Sequence, residues 1–207
     1  TNAGAVDGIP IGTAGQFLKV NSGATGYEYG AVSSDYVKVG HSELGSDTNS
    51  ITMSNVFSTT YDVYDVYFQF LMTSTAQAYM ELEKSSDSSF QNSNYYFNSN
   101  MVYRNSGANG QSSQGDWSYG NFRAHENQAN SSVNYAVWHF KMVKPMEASQ
   151  ETRWLFHLSM YDGTYSRELV GGAWNGNAEA HSGLKFTTSS GNFRSTSSVS
   201  VYGKKHA

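Results

Sequence analysis

The sequence predicts an all-β protein: an antiparallel, jelly-roll-like β-sandwich preceded by an extended, Gly-rich N-terminal arm. Three observations lead to this prediction. Apolar and polar residues alternate with a period of two in several segments, which is typical of half-buried strands. No window of helical length shows the helical period. The 15 Tyr and 11 Phe residues, with only 14% charged residues, indicate a folded chain whose solubility comes from neutral polar side chains.

The chain is expected to have two parts. Residues 1–33 are rich in turn formers and have little periodicity, so they are assigned to the arm. Residues 34–207 are assigned to one head domain of ordinary size. Residues 12–30 of the arm contain five glycines and only a few apolar side chains, too few to form a core within one chain.

The clearest strand lies in residues 61–72, YDVYDVYFQFLM. Its even-numbered positions from Tyr64 to Met72 are apolar, and its other face is mixed. Residues 133–143 and 152–161 show the same pattern. Each of these strands offers one apolar face to a core, as a two-sheet antiparallel sandwich requires. Shorter strands are predicted at residues 36–40, 78–84, 95–104, 166–171, 184–188 and 198–203, with a tight hairpin turn at Asp162-Gly163.

Residues 105–122, NSGANGQSSQGDWSYGNF, are the longest interruption of the strand pattern. Long loops in compact domains usually carry function. Aromatic rings stack on the C–H faces of sugars, and carboxylate and amide groups pair with hydroxyls. The candidate glycan-binding residues are therefore Asp116, Trp117 and Tyr119 in this loop, and Trp174 and Asn175 in a second predicted loop at residues 171–181. The alternative is that these aromatic side chains cover a sheet edge.

The sequence contains none of the motifs that identify common enzyme classes, such as the GxSxG elbow, the HExxH helix or a phosphate-binding loop. We expect no enzymatic activity, no metal and no cofactor. Glu81 and Glu83 share a strand face and could act as paired carboxylates, but a solvated strand face is the simpler explanation. His139 and His157 fall on mixed strand faces, where a surface or subunit-contact role is expected.

Charge and composition also limit the partners. The net charge is −4 and no run of Lys or Arg occurs, so nucleic acid is not an expected partner. No segment approaches the ~18 apolar residues of a membrane-spanning helix, so membrane insertion is not expected. The chain has no cysteine, which excludes disulfides and thiolate zinc sites.

Three segments resemble a known family. Residues 9–30, IPIGTAGQFLKVNSGATGYEYG, are similar to a GTAGQ-x-L-x-V-NSGAT segment that recurs in tail-fibre and related virion proteins of bacteriophages, especially marine ones. Residues 58–71, STTYDVYDVYFQFL, resemble the strand that opens the jelly-roll module of these proteins. Residues 186–206, FTTSSGNFRSTSSVSVYGKKH, resemble the end of that module. The segments follow one another in the expected order, so the resemblance spans nearly the whole chain.

The resemblance implies a virion protein of the tail-fibre, receptor-binding type, located in an external appendage and adhering to host-surface polysaccharide. It also implies a homotrimer in which the arm makes contacts between chains or docks onto other virion proteins. The side chains expected to make these contacts are Phe17, Leu18, Val20, Tyr27 and Tyr29. Two alternatives stay open: a purely structural role as a capsid head fibre, decoration or tail-assembly protein, and a glycan depolymerase.

Overall fold

The regular secondary structure of the described residues is entirely β-strand, so the prediction of an all-β protein is confirmed. The computed structural model describes residues 13–14, 16–31, 35–105, 108–114, 120–123, 128–130 and 133–205. The chain divides into two compact units, Thr1–Asp35 and Tyr36–Ala207.

The first unit contains a β-hairpin made by β1 (Gln16–Val20) and β2 (Tyr27–Ala31). Asn21 closes its turn, because the Oδ1 atom of Asn21 accepts a hydrogen bond from the backbone N–H of Thr25 at 3.0 Å. The sequence pattern predicted no strands in this segment, because period-2 alternation is weak there. Turn chemistry and backbone pairing therefore define a hairpin that periodicity does not reveal.

The second unit contains two antiparallel sheets. Its strands are β3 (Tyr36–Glu43), β4 (Ser50–Met53), β5 (Val63–Phe70), β6 (Ala78–Lys84), β7 (Tyr95–Asn105), β8 (Ala108–Gln114), β9 (Phe122–Arg123), β10 (Ala136–Val143), β11 (Glu151–Tyr161), β12 (Ser166–Ala178), β13 (His181–Thr188) and β14 (Ser198–Lys204). The large sheet has the order β3-β14-β5-β10-β11-β12-β7-β8, and the small sheet has the order β4-β13-β6-β9. Phe68 of β5 stacks on Phe186 of β13 with ring centroids 4.2 Å apart. The two sheets thus pack face to face around one core, which confirms the predicted sandwich.

The strands β5, β10 and β11 are neighbours in the large sheet, and their predicted apolar faces form the core. Every side chain on these faces is at most 4% exposed: Tyr64, Val66, Phe68, Phe70, Met72, Ala136, Trp138, Phe140, Met142, Trp154, Phe156, Leu158 and Met160. Burial of one large apolar side chain contributes roughly 1.5–3 kcal/mol to stability. The period-2 pattern therefore identified the part of the sheet that carries much of the core.

Two predicted loops contain strands. Within residues 105–122, β8 forms the edge of the large sheet. Its seven residues, ANGQSSQ, carry no apolar alternation, so no strand was predicted. Within residues 171–181, the chain continues β12, which pairs with β11 on one side and β7 on the other. This half of β12 is rich in Gly and Asn, which are depleted in strands. Its composition therefore predicted a loop.

The expectation of a solvated face for Glu81 and Glu83 is wrong for Glu83. Glu81 is half-buried and forms an ion pair with Lys185, with Nζ and Oε2 2.6 Å apart. Glu83 is only 3% exposed. Its cross-strand partner is Gly183, and a Cβ atom at Gly183 would lie 2.4 Å from the Glu83 Oε2 atom. Because Gly183 has no side chain, the Glu83 carboxylate can occupy the space beside it.

Candidate ligand-binding groove

Alternate residues of the large sheet point away from the core and form its outer face. Across β10, β11, β12 and β7, this face contains a shallow groove of about 410 Å³. The outward-facing residues that line it are Asn98, Lys141, Val143, Arg153, Leu155, Gly172 and Trp174. We call this feature the Trp174 groove.

The groove exists because Gly172 has no side chain. Gly172 lies in β12 between its cross-strand partners Leu155 of β11 and Asn98 of β7. A Cβ atom at Gly172 would make only ordinary van der Waals contacts, the nearest at 3.9 Å, so the position has room for a side chain that the glycine leaves unfilled. The side chains around it rise above this gap and form the walls.

Trp174 forms an aromatic wall whose orientation is fixed by two contacts. Its ring stacks on Tyr96 of β7, with ring centroids 5.3 Å apart and an interplanar angle of 16°. The guanidinium group of Arg153 lies 5.7 Å from the Trp174 ring centroid, within the range of a cation–π interaction. Arg153 in turn pairs with Glu151 through Nη2 and Oε2. The indole is therefore held in place before any ligand arrives.

The remaining walls combine apolar surface with positive charge. Leu155 is 64% exposed and Val143 is 48% exposed, so both present apolar surface to the groove. Lys141 has no ion-pair partner among the described residues. None of the described lining residues carries a carboxylate, a hydroxyl or a thiol. The groove can thus stack on a ligand and donate hydrogen bonds to it.

Of the two candidate glycan-binding residues in β12, only one faces the groove. Trp174 lines the groove, whereas Asn175 is fully buried on the opposite face of the strand. The amide of Asn175 donates from Nδ2 to the carbonyl oxygen of Ser93 at 2.9 Å, and its Oδ1 atom accepts from the backbone N–H of Asn177 at 3.1 Å. Asn175 therefore supports the strand end and does not face the groove, because adjacent residues of a strand point to opposite faces. Asp116, Trp117 and Tyr119 lie outside the described residues.

The hairpin of the first unit presents most of its apolar side chains on one face. In its register, Leu18 is opposite Tyr29 and Val20 is opposite Tyr27. Leu18, Val20 and Tyr27 are exposed, and Tyr29 is half-buried. Phe17 is also exposed and belongs to the opposite face of the hairpin. A two-stranded ribbon cannot bury these side chains by itself.

Sequence reasoning did not select the other lining residues of the groove. Lys141 and Arg153 lie on the mixed faces of the strands predicted at residues 133–143 and 152–161, and neither was a candidate site residue. A signal was present, because Val143 and Leu155 are aliphatic residues on the polar side of their strands. Without the strand order, these positions could not be joined to Asn98 or Gly172, which come from distant parts of the chain.

The described residues contain no group of three or more His, Cys, Asp or Glu side chains arranged to hold a metal ion. Within the same residues, no helix has the length and apolar character needed to cross a bilayer.

No protein-family model matches the sequence. No curated protein matches it at a significant level. Among solved structures, the chain is similar to the crystal structure of the Caenorhabditis elegans galectin LEC-6. The two share 10% sequence identity over 80% of this chain and 96% of that chain, with a TM-score of 0.30.

Proposed function

We propose that this protein is a bacteriophage virion protein of the tail-fibre type that binds a host-surface glycan in the Trp174 groove. The observation that carries the binding proposal is the fixed indole of Trp174 beside apolar and cationic walls. The virion assignment is supported by the resemblance of residues 9–30, 58–71 and 186–206 to phage appendage proteins.

The chemistry of the groove suits a sugar. The C–H face of a pyranose ring is apolar and packs on an aromatic ring, while its hydroxyls need hydrogen-bond donors at the edge. Trp174 supplies the aromatic surface, and the side chains of Asn98 and Arg153 supply N–H donors around it. Because Tyr96 and Arg153 already hold the indole, binding costs little side-chain entropy.

The groove is shallow, so one site is expected to bind weakly. Adhesion would then depend on several copies of the chain acting together, because linked sites raise the apparent affinity without new contacts. We propose a homotrimer joined through the hairpin, whose apolar face includes Leu18, Val20 and Tyr27. The same hairpin is proposed to dock onto other virion proteins. Three copies that share this face would bury side chains that one copy leaves exposed.

We propose binding without cleavage. This is supported by the groove's described lining residues, which include no carboxylate pair of the kind that glycoside hydrolysis requires. An assay for reducing ends released from a bound polysaccharide tests this part of the proposal. Release of new ends by the wild-type chain would make the protein a depolymerase.

A panel of immobilised bacterial surface polysaccharides, probed with the full chain, tests the binding proposal. Trp174→Ala should lower binding by about tenfold, the equivalent of one lost aromatic contact. Gly172→Val should also lower binding, because it fills the gap without removing a stabilising contact. Tyr135→Ala is the matched control, since Tyr135 is an exposed aromatic residue outside the groove. Unchanged binding by both groove variants would exclude this site.

Immunogold labelling of intact virions with an antibody against the head domain tests the location. Gold at tail or fibre tips is the expected result for a receptor-binding protein. Gold distributed over the capsid would instead identify a head fibre or decoration protein with a structural role. Absence of labelling on any virion would overturn the virion assignment.

A further inference from the structure

A second aromatic cavity lies on the outer face of the large sheet, beyond the Trp174 groove. It has a volume of about 420 Å³ and is lined by Tyr36, Tyr67, Ser200 and Tyr202. Tyr36 stacks on Tyr202 with ring centroids 4.9 Å apart and an interplanar angle of 2°. Tyr67 meets Tyr202 edge to face at 6.0 Å. We call these three tyrosines the tyrosine cluster.

The tyrosine cluster is preorganised in the same way as Trp174. The ring of Tyr67 stacks on His139 with centroids 4.4 Å apart. The Nε2 atom of His139 lies 2.7 Å from Oδ1 of Asp65, which fixes the imidazole. Burial, followed by a hydrogen bond with Tyr67, raises the pKa of Tyr36 above its ordinary value, so its hydroxyl stays neutral. The cluster therefore offers oriented rings with hydroxyl groups at their edges.

One row of cross-strand partners joins the two cavities. Along this row, which crosses β14, β5, β10, β11 and β12, successive partners are Tyr202, Asp65, Lys141, Leu155 and Gly172. Four strand spacings separate the ends of the row, a distance of about 19 Å. This span exceeds the length of a disaccharide, so only a longer chain can contact both cavities.

The charges along the row favour an anionic ligand. The carboxylate in this row belongs to Asp65, whose side chain is buried and lies 2.7 Å from Nε2 of His139, so a ligand on the outer face meets little of it. Lys141, in the middle of the row, is exposed and has no ion-pair partner among the described residues. A negative group above Lys141 would meet this exposed ammonium group.

We infer that the glycan is an extended acidic polysaccharide that crosses the strands along this row. The Trp174 groove and the tyrosine cluster are two subsites for its sugar rings, and Lys141 binds a carboxylate between them. This inference rests on the proposed function and adds the length and the charge of the ligand.

The test uses bacterial polysaccharides that contain uronic acids. Each is immobilised in three forms: intact, cleaved to disaccharides, and with its carboxyl groups reduced to alcohols. The full wild-type chain should bind the intact form about tenfold more tightly than either of the other forms. Equal binding of the intact and disaccharide forms, or of the intact and reduced forms, would overturn the inference.

Substitutions of Tyr67 and Lys141 test the two contacts that the inference adds: the sugar ring on the tyrosine cluster and the carboxylate on Lys141. Tyr67→Ala should weaken binding to the intact form about tenfold and leave binding to the disaccharide form unchanged. Tyr67→Phe should bind the intact form as wild type does, because it keeps the stacked ring. Lys141→Gln should remove the preference for the acidic over the reduced form. Tyr135→Ala should change none of these results. If Tyr67→Ala binds the intact form as wild type does, the second subsite does not exist.

The outcomes separate this inference from the proposed function. Binding confined to neutral polysaccharides, and lost in Trp174→Ala, would overturn the acidic ligand and leave the Trp174 groove as a glycan site. Failure to bind any polysaccharide would overturn both.

Discussion

Gly171 and Gly172 are adjacent in β12 and face opposite sides of the large sheet. A Cβ atom at Gly171 would lie 2.1 Å from the backbone oxygen of Asn98 and 2.8 Å from Cζ of Phe156. The corresponding Cβ atom at Gly172 would have no neighbour nearer than 3.9 Å. The first glycine permits close packing against the core, whereas the second opens the groove.

These two positions should respond differently to the same substitution. Gly171→Ala forces a methyl group into backbone atoms, and it should lower the free energy of unfolding by about 1–3 kcal/mol. Gly172→Ala, its matched control, should leave the free energy of unfolding unchanged or raise it by up to about 1 kcal/mol, because Ala has fewer unfolded conformations than Gly. Urea unfolding of both variants measures the difference. Equal effects would contradict the assignment of the two faces.

Stability should fall in mild acid because of His181. Its side chain is fully buried, and its Nδ1 atom lies 2.8 Å from the hydroxyl of Thr152. Burial, and then the nearby ammonium of Lys84, lowers the pKa of His181 from 6.5 to about 4. The unfolded chain therefore binds this proton more readily than the folded chain. Stability is full above pH 6.5 and should fall by up to about 3 kcal/mol as the pH drops to about 4.

Chemical denaturation between pH 7.5 and pH 4 tests this prediction. His181→Gln should flatten the profile in this window. His157→Gln is the control, because His157 is a half-exposed residue of the outer face. A profile for His181→Gln as steep as that of the wild type would assign the acid sensitivity to other groups.

The β11–β12 turn should depend on Asp162. Its Oδ1 atom accepts hydrogen bonds from the N–H groups of Thr164 and Tyr165, and its Oδ2 atom pairs with Arg167 at 2.6 Å. Burial raises the pKa of Asp162, but these donors outweigh it and hold the pKa below its ordinary value. Asp162→Ala would leave a largely buried guanidinium without its carboxylate, and it should cost about 3 kcal/mol. Asp87→Ala, which removes an exposed turn carboxylate near Ser89, should cost much less.

The hairpin should control the oligomeric state. Leu18→Glu places a charge on its apolar face, and it should convert a trimer into monomers in sedimentation-velocity experiments. Lys19→Gln is the control on the opposite face, where it removes only the exposed ion pair with Glu28. A wild-type chain that sediments as a monomer at micromolar concentration would contradict the proposed homotrimer.

The part of the fold that the sequence predicts is the part with large apolar side chains at alternate positions. In β5, β10 and β11, apolar residues recur at alternate positions along the sequence, and this alternation identifies the buried face directly. The strand β8 and the second half of β12 lack this signal, because backbone pairing with neighbouring strands defines them. The groove was only partly predictable for a related reason. Trp174 could be selected because an exposed aromatic side chain suggests ligand binding. Asn98 and Lys141 become its neighbours only through the strand order, which the sequence does not show.

The alternation of β10, β11 and β12 has an evolutionary consequence. Each groove position is flanked in the chain by a buried residue, as Lys141 is by Met142, and as Trp174 is by Ala173. A substitution on the outer face leaves the packing beneath it unchanged. Under the proposed function, single point mutations on the outer face would therefore change which glycan is recognised without compensating changes in the core.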